Sequence, residues 1–107
     1  MQQLSPRELA AWLADPERTA PLLLDIREGW EVNVCRLEGS RHLPMQTIPA
    51  RMDSLPIDSP VVIYCHHGIR SMRAASYLDH HGFKAVYNLQ GGIQAWATEV
   101  DRDMPRY

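Results

Sequence analysis

The segment Tyr64-Cys65-His66-His67-Gly68-Ile69-Arg70-Ser71 concentrates the chemistry of this chain. Cys65 follows the β-branched run Val61-Val62-Ile63-Tyr64 and precedes a helical period, so its sulfur is expected where a strand ends and the unpaired N–H groups of a helix begin. A free cysteine titrates near about 8.5, whereas one at a helix N-terminus or beside a cation titrates at roughly 3.5–7.5. Such a sulfur is nucleophilic at neutral pH. Gly68 lets the loop curl, Arg70 brings a permanent cation, and Ser71 is placed to cap the helix or bind an anion oxygen. His66, His67 and Ile69 complete the loop. The alternative is a buried structural cysteine in an ordinary connection, which the combination of Gly68, Arg70 and Ser71 at a strand's carboxyl end disfavours.

Other candidates carry less. Cys35 is either a resolving thiol facing Cys65 or simply a buried one. Asp25 and Arg27 flank a second strand end and read as an ion pair supporting the loops rather than as catalysts. His66-His67 and His80-His81 suggest a metal at first sight. Adjacent histidines diverge, however, and the second pair suits a helix C-terminus, so neither a metal nor an organic cofactor is expected. Trp12, Trp30 and Trp96 read as core or rim packing.

The elements that must position this loop follow from spacing. Ser5, Pro6 and Glu8 form a capping signature for a helix carrying Leu9, Trp12 and Leu13 on one face. Leu22 to Ile26 is an apolar run of strand length, residues 28–34 suit a short helix, and His42-Leu43-Pro44 a brief extended piece. Ile48 to Leu55 has helical spacing, and Val61 to Tyr64 is the strongest strand signal. Arg70 to His81 predicts a helix stopped by Gly82, Ala85 to Leu89 a strand, Gly91-Gly92 a turn and Ile93 to Glu99 a last helix. Strands alternating with helices imply an α/β domain, its parallel sheet covered on both faces.

Composition narrows the classes. The chain has 107 residues, 45% of them hydrophobic and 22% charged, which suits one domain spanning residues 1–107. A net charge of -2 gives no basic face for nucleic acid. No apolar run approaches the roughly 20 residues that span a bilayer, and the opening MQQLSPRELAAW is unlike an export signal, so a cytoplasmic protein is expected.

With these residues in view the chain resembles the single-domain rhodaneses, sulfurtransferases that carry a persulfide on one cysteine. Leu23-Leu24-Asp25-Ile26-Arg27-Glu28 with Trp30-Glu31 looks like the family's opening signature, Leu43-Pro44 like its second strand, and Val61 to Ser71 like its active-site segment. Ala74-Ala75, Leu78, Gly82-Phe83, Val86-Tyr87, Leu89, Gly91-Gly92 and Ala95-Trp96 match the tail. The family's usual Gly-His-Ile-Pro-Gly-Ala run is replaced by Cys35-Arg36-Leu37-Glu38-Gly39-Ser40, without the histidine at Arg36. The resemblance implies a five-stranded parallel sheet wrapped by helices, Cys65 as sulfur carrier, and the amides from His66 to Arg70 around it. It also implies that His66 and His67 help set substrate preference. The expected partners are a small sulfane donor such as thiosulfate and an acceptor that is cyanide, a small thiol or a protein thiol, handled by a monomer. Two other readings share the fold: a non-catalytic docking module, and a cysteine-dependent phosphatase or arsenate reductase. The cell-cycle phosphatases that resemble the family separate cysteine from arginine by five residues; here Cys65 and Arg70 enclose four, a loop suited to sulfur and tight for phosphate.

Overall fold

A computed structural model describes residues 1–107. Its sheet is formed by β1 (Gln2–Leu4), β2 (Leu22–Asp25), β3 (Arg41–His42), β4 (Val61–Tyr64) and β5 (Val86–Leu89). The strands lie in the order β1-β5-β4-β2-β3, and every neighbouring pair is parallel. Parallel neighbours put all carboxyl ends on one edge, so whatever follows β2 and β4 meets there.

Five α-helices connect and cover the strands: α1 (Pro6–Ala14), α2 (Gly29–Val34), α3 (Ile48–Arg51), α4 (Ile69–His80) and α5 (Gly92–Glu99). None is long and apolar enough to cross a membrane. Val61, Val62, Ile63 and Tyr64 are all fully buried, because β4 is the central strand and both its faces are covered. Its side chains alternate between two cores. Val61 and Ile63 join Leu24, Ile48, Ala74, Ala75 and Leu78 beneath α3 and α4. Val62 and Tyr64 join Leu9, Trp12, Leu23 and Ile93 beneath α1 and α5. Cys65 belongs to the first layer and Cys35 packs against the second; both are free thiols.

Local sequence explains the boundaries. Ser5 Oγ accepts from Glu8 N–H while Glu8 Oε1 accepts from Ser5 N–H, closing the capping box at α1. The helical spacing of Ile48 to Leu55 yields only α3, flanked by 3₁₀ turns at Met45–Thr47 and Met52–Ser54. A stretch with Pro49 near its start and Pro56 at its end has little room for α turns, and the tighter 3₁₀ turn needs fewer residues. The extended piece predicted at His42-Leu43-Pro44 forms as β3 at Arg41–His42. β1, which periodicity does not reveal, pairs with β5 at the sheet edge.

Candidate functional site

Cys65 sits one residue beyond β4 and four before the start of α4, with only 1% of its surface exposed. Its Sγ accepts hydrogen bonds from Gly68 N–H at 3.2 Å and Ser71 N–H at 3.3 Å, and as a thiol it donates to Ser71 Oγ at 3.3 Å. The N–H groups of Ile69 and Arg70, in the first turn of α4, make no hydrogen bond inside the chain. The loop therefore surrounds the sulfur with amide donors, an arrangement that stabilises negative charge on Sγ or on an atom attached to it.

Two glycine-dependent contacts hold the loop in this shape. Gly68 caps α4 with φ +96°, a left-handed conformation that side chains disfavour. Gly92, at φ +63°, lies so close beneath the loop that a Cβ there would run into the carbonyl oxygens of Cys65 and His66. The first amides of α5 use that proximity: Ile93 N–H donates to Cys65 O at 2.9 Å and Gln94 N–H to His66 O at 3.0 Å. With its carbonyls drawn down onto α5, the loop is fixed from below. Asn88, from β5, fixes it from the side. Its Oδ1 accepts from Ser71 Oγ, and its Nδ2 donates to Gly68 O at 3.2 Å and Gln3 Oε1 at 2.9 Å.

Ser71 does not cap α4. Gly68 is the N-cap, and Ser71 lies in the first turn with its buried hydroxyl shared between Cys65 and Asn88. Arg70 reaches the mouth but is not a free cation: its Nη1 and Nη2 donate to Glu31 Oε1 and Oε2, each at 2.9 Å. This bond to Arg70 is the main reason the Glu31 carboxyl is held down to about 2, well below the ordinary 4.5, against the opposing effect of burial. The same pairing raises the Arg70 guanidinium.

Asp25 and Arg27, at the end of β2, form a buried bidentate pair, Nε to Oδ1 at 2.9 Å and Nη2 to Oδ2 at 2.7 Å. Burial alone would lower the Arg27 guanidinium, but its bonds to Asp25 and Tyr107 more than offset that and raise it. Tyr64 joins the pair, donating from its hydroxyl to Asp25 Oδ2 at 2.9 Å; burial first, then the Asp25 charge, raises that phenol. Arg27 Nη2 also donates to Cys35 O at 2.7 Å, so Cys35 helps to hold this support. The structure does not bring Cys35 and Cys65 together, since they pack in opposite core layers. Arg36, where the family's histidine is absent, is exposed and lines a surface cavity with Leu37, Glu38 and Trp96.

His66 and His67 stack at 4.0 Å beside the thiol, and burial, followed by the neighbouring His67, lowers His66. Cys65, His66, His67, Ile69 and Arg70 line a cavity of about 210 Å³. His81 Nδ1 bonds Tyr77 O at 2.7 Å at the far end of α4, and no group of three or more His, Cys, Asp or Glu side chains is placed to hold a metal. Three residues that the sequence reading did not assign to the site, Glu31, Asn88 and Tyr107, contact its loop or its charged groups. Glu31 was visible only as part of the opening signature; Asn88 and Tyr107 carry no local signal.

Known proteins show the same frame. The chain is 42% identical over 97 residues to a sulfurtransferase of Allochromatium vinosum, covering 91% of this chain and 89% of that one. It is 38% identical over 74 residues to the thiosulfate sulfurtransferase GlpE of Vibrio cholerae, covering 69% of this chain and 70% of that one. The crystal structure of a rhodanese-like domain protein from Staphylococcus aureus superposes with a TM-score of 0.83 at 28% identity, over 94% of this chain and 95% of the other. These relatives support an enzyme of the rhodanese-type sulfurtransferase kind. With residues 5–99 matched to the rhodanese-like domain, and Cys65 in its amide-lined loop within that stretch, the chain belongs to the rhodanese-like domain family.

Proposed function

We propose that this protein moves a sulfane sulfur from a donor such as thiosulfate to a thiophilic acceptor by double displacement on Cys65. One observation carries the reading: Cys65 Sγ lies at the base of a small cavity, with the amides of Gly68 and Ser71 directed at it. In the first half-reaction the Cys65 thiolate attacks the outer sulfur of thiosulfate. The S–S bond breaks, sulfite leaves with the bonding pair, and the transferred sulfur stays on Cys65 as a persulfide. The unbonded first-turn amides of Ile69 and Arg70 suit the charge on that added sulfur. In the second half-reaction cyanide, a small thiol or a protein thiol attacks the outer persulfide sulfur, and the Cys65 thiolate leaves. Proton-neutral sulfur transfer of this kind uses nothing beyond the thiol and the donors around it. His66, His67 and Ile69 form the wall that an incoming donor meets.

The test is the intact mass of the protein after incubation with thiosulfate. One added sulfur atom, removed again by cyanide and absent in Cys65→Ala, is expected; Cys35→Ser should still load. A folded wild-type chain whose mass does not change with thiosulfate or with an organic thiosulfonate would end the sulfurtransferase reading. Loading that survives in Cys65→Ala would move the carrier elsewhere.

A further inference from the structure

The cations of this site are already engaged. All five N–H donors of Arg27 are used, by both carboxylate oxygens of Asp25, Glu31 O, Cys35 O and the Tyr107 hydroxyl. Arg70 spends its fork on Glu31. Glu31, in turn, cannot easily move away: it is 3% exposed, its Oε1 accepts from Glu28 N–H at 3.0 Å and its Oε2 from the Tyr107 hydroxyl at 2.7 Å. Tyr107 is tied down as well. Its hydroxyl accepts from Arg27 Nη1 at 2.9 Å, its ring lies on His66 at 3.9 Å and 19°, and it meets Trp30 edge-on at 5.4 Å. His66, His67 and the 62% exposed Ile69 line the cavity over Cys65, and Tyr107, with Trp30 beyond it, backs the His66 ring. Tyr107 lies beyond residues 5–99, the stretch matched to the family.

We propose that Glu31, held in place by Tyr107, is a specificity-determining residue that makes the site prefer an organic sulfane donor of single negative charge to the inorganic dianion. This deepens, and rests on, the sulfurtransferase reading above. A dianion entering the cavity meets a guanidinium already neutralised and a carboxylate beside it. It must either break a bidentate pair or do without the cation. A thiosulfonate, R–SO₂–S⁻, has one charge for the loop amides to satisfy and an organic group to lay against the rings at the mouth. The transfer balances in the same way: the Cys65 thiolate attacks the outer sulfur, the S–S bond breaks, the sulfinate R–SO₂⁻ leaves with the bonding pair, and Cys65 keeps the persulfide.

The experiment measures kcat/KM for loading of the full chain by benzenethiosulfonate and by thiosulfate, each across a range of ionic strength. The wild-type protein should favour benzenethiosulfonate by about tenfold or more, and its thiosulfate rate should depend weakly on salt. Glu31→Gln frees Arg70, so thiosulfate kcat/KM should rise several-fold through KM, acquire a steep salt dependence and bring the ratio of the two donors toward one. Tyr107→Phe keeps the ring on His66 but removes the hydroxyl that steadies Glu31; it should shift the ratio in the same direction by less, and it decides the matter if Glu31→Gln does not fold. A wild-type preference for thiosulfate, or folded variants that change neither ratio nor salt dependence, overturns the proposal while leaving the sulfurtransferase reading intact. If neither donor loads the wild-type chain, both fall.

Discussion

At the level of single residues the site is governed by one carboxylate. Glu31 sits in the first turn of α2, where an acid suits the helix end, and gathers Glu28 N–H, Arg70 and Tyr107 around itself. Its carboxyl is depressed to about 2 chiefly by Arg70, so this stabilisation is fully present above the ordinary 4.5 of the unfolded chain. It is lost as the pH falls through that interval toward 2. Protonated Glu31 no longer balances Arg70, and the loss should be about 2 kcal/mol, less than for a fully buried pair because the Arg70 side chain is 40% exposed. Denaturant midpoints from pH 6 to pH 2 in wild type and Glu31→Gln check this: the gap between them should close on acidification, and a constant gap would show that Glu31 titrates normally. The nucleophile and its loop were legible because Cys65, Gly68 and Arg70 are neighbours in sequence and their types name the chemistry. Glu31 and Tyr107 were not, since the pair is 76 residues apart and only the folded chain makes it.

At the level of elements, the decisive contact is the seating of α5 under the loop after β4. Gly39 and Gly92 both have positive φ, at +78° and +63°, but a Cβ at Gly39 meets nothing within 4 Å whereas one at Gly92 collides with the Cys65 and His66 carbonyls. The pair separates backbone preference from close approach. Gly39→Ala should cost about 1–2 kcal/mol, the left-handed penalty alone. Gly92→Ala should cost more than about 3 kcal/mol and also suppress sulfur loading, because the loop must lift to make room. Chemical denaturation and intact-mass loading would measure both; equal costs would mean the approach of α5 is not tight. The helices and central strands were readable from caps and β-branched runs, as the capping box at Ser5 and the burial of Val61 to Tyr64 illustrate. β1 was not: three residues, two of them exposed, contain no period, and only pairing with β5 makes them a strand.

At the scale of the whole molecule, both ends of the chain converge on the site. Gln3 of β1 supports Asn88, which supports Ser71 and Gly68, while the segment after α5 returns Tyr107 to Arg27 and Glu31. Arg106 anchors that return, donating to Ala97 O and Thr98 Oγ1 at 3.0 Å, and Met104 packs against the core layer under α1 and α5. Removing Asp101–Tyr107 therefore takes a partner from each of two buried groups, Arg27 and Glu31, uncovers His66 and strips Met104 and Tyr107 from the edge of the second core, while removing no strand and no buried core residue. Unsatisfied buried groups cost about 1–3 kcal/mol each, so a loss of about 2–6 kcal/mol is expected, enough to loosen the site and less than the stability of a domain in the middle of the ordinary range of about 5–15 kcal/mol. Hydrogen exchange would show where it falls. Amides of α2 and of residues 66–71 should exchange faster in the truncated chain, while those of β2, β4 and β5, held in the sheet, should keep their protection. Uniform loss of protection across the sheet would make the tail part of the global core, and unchanged exchange at α2 and the loop would mean that Tyr107 rests on the site without holding it.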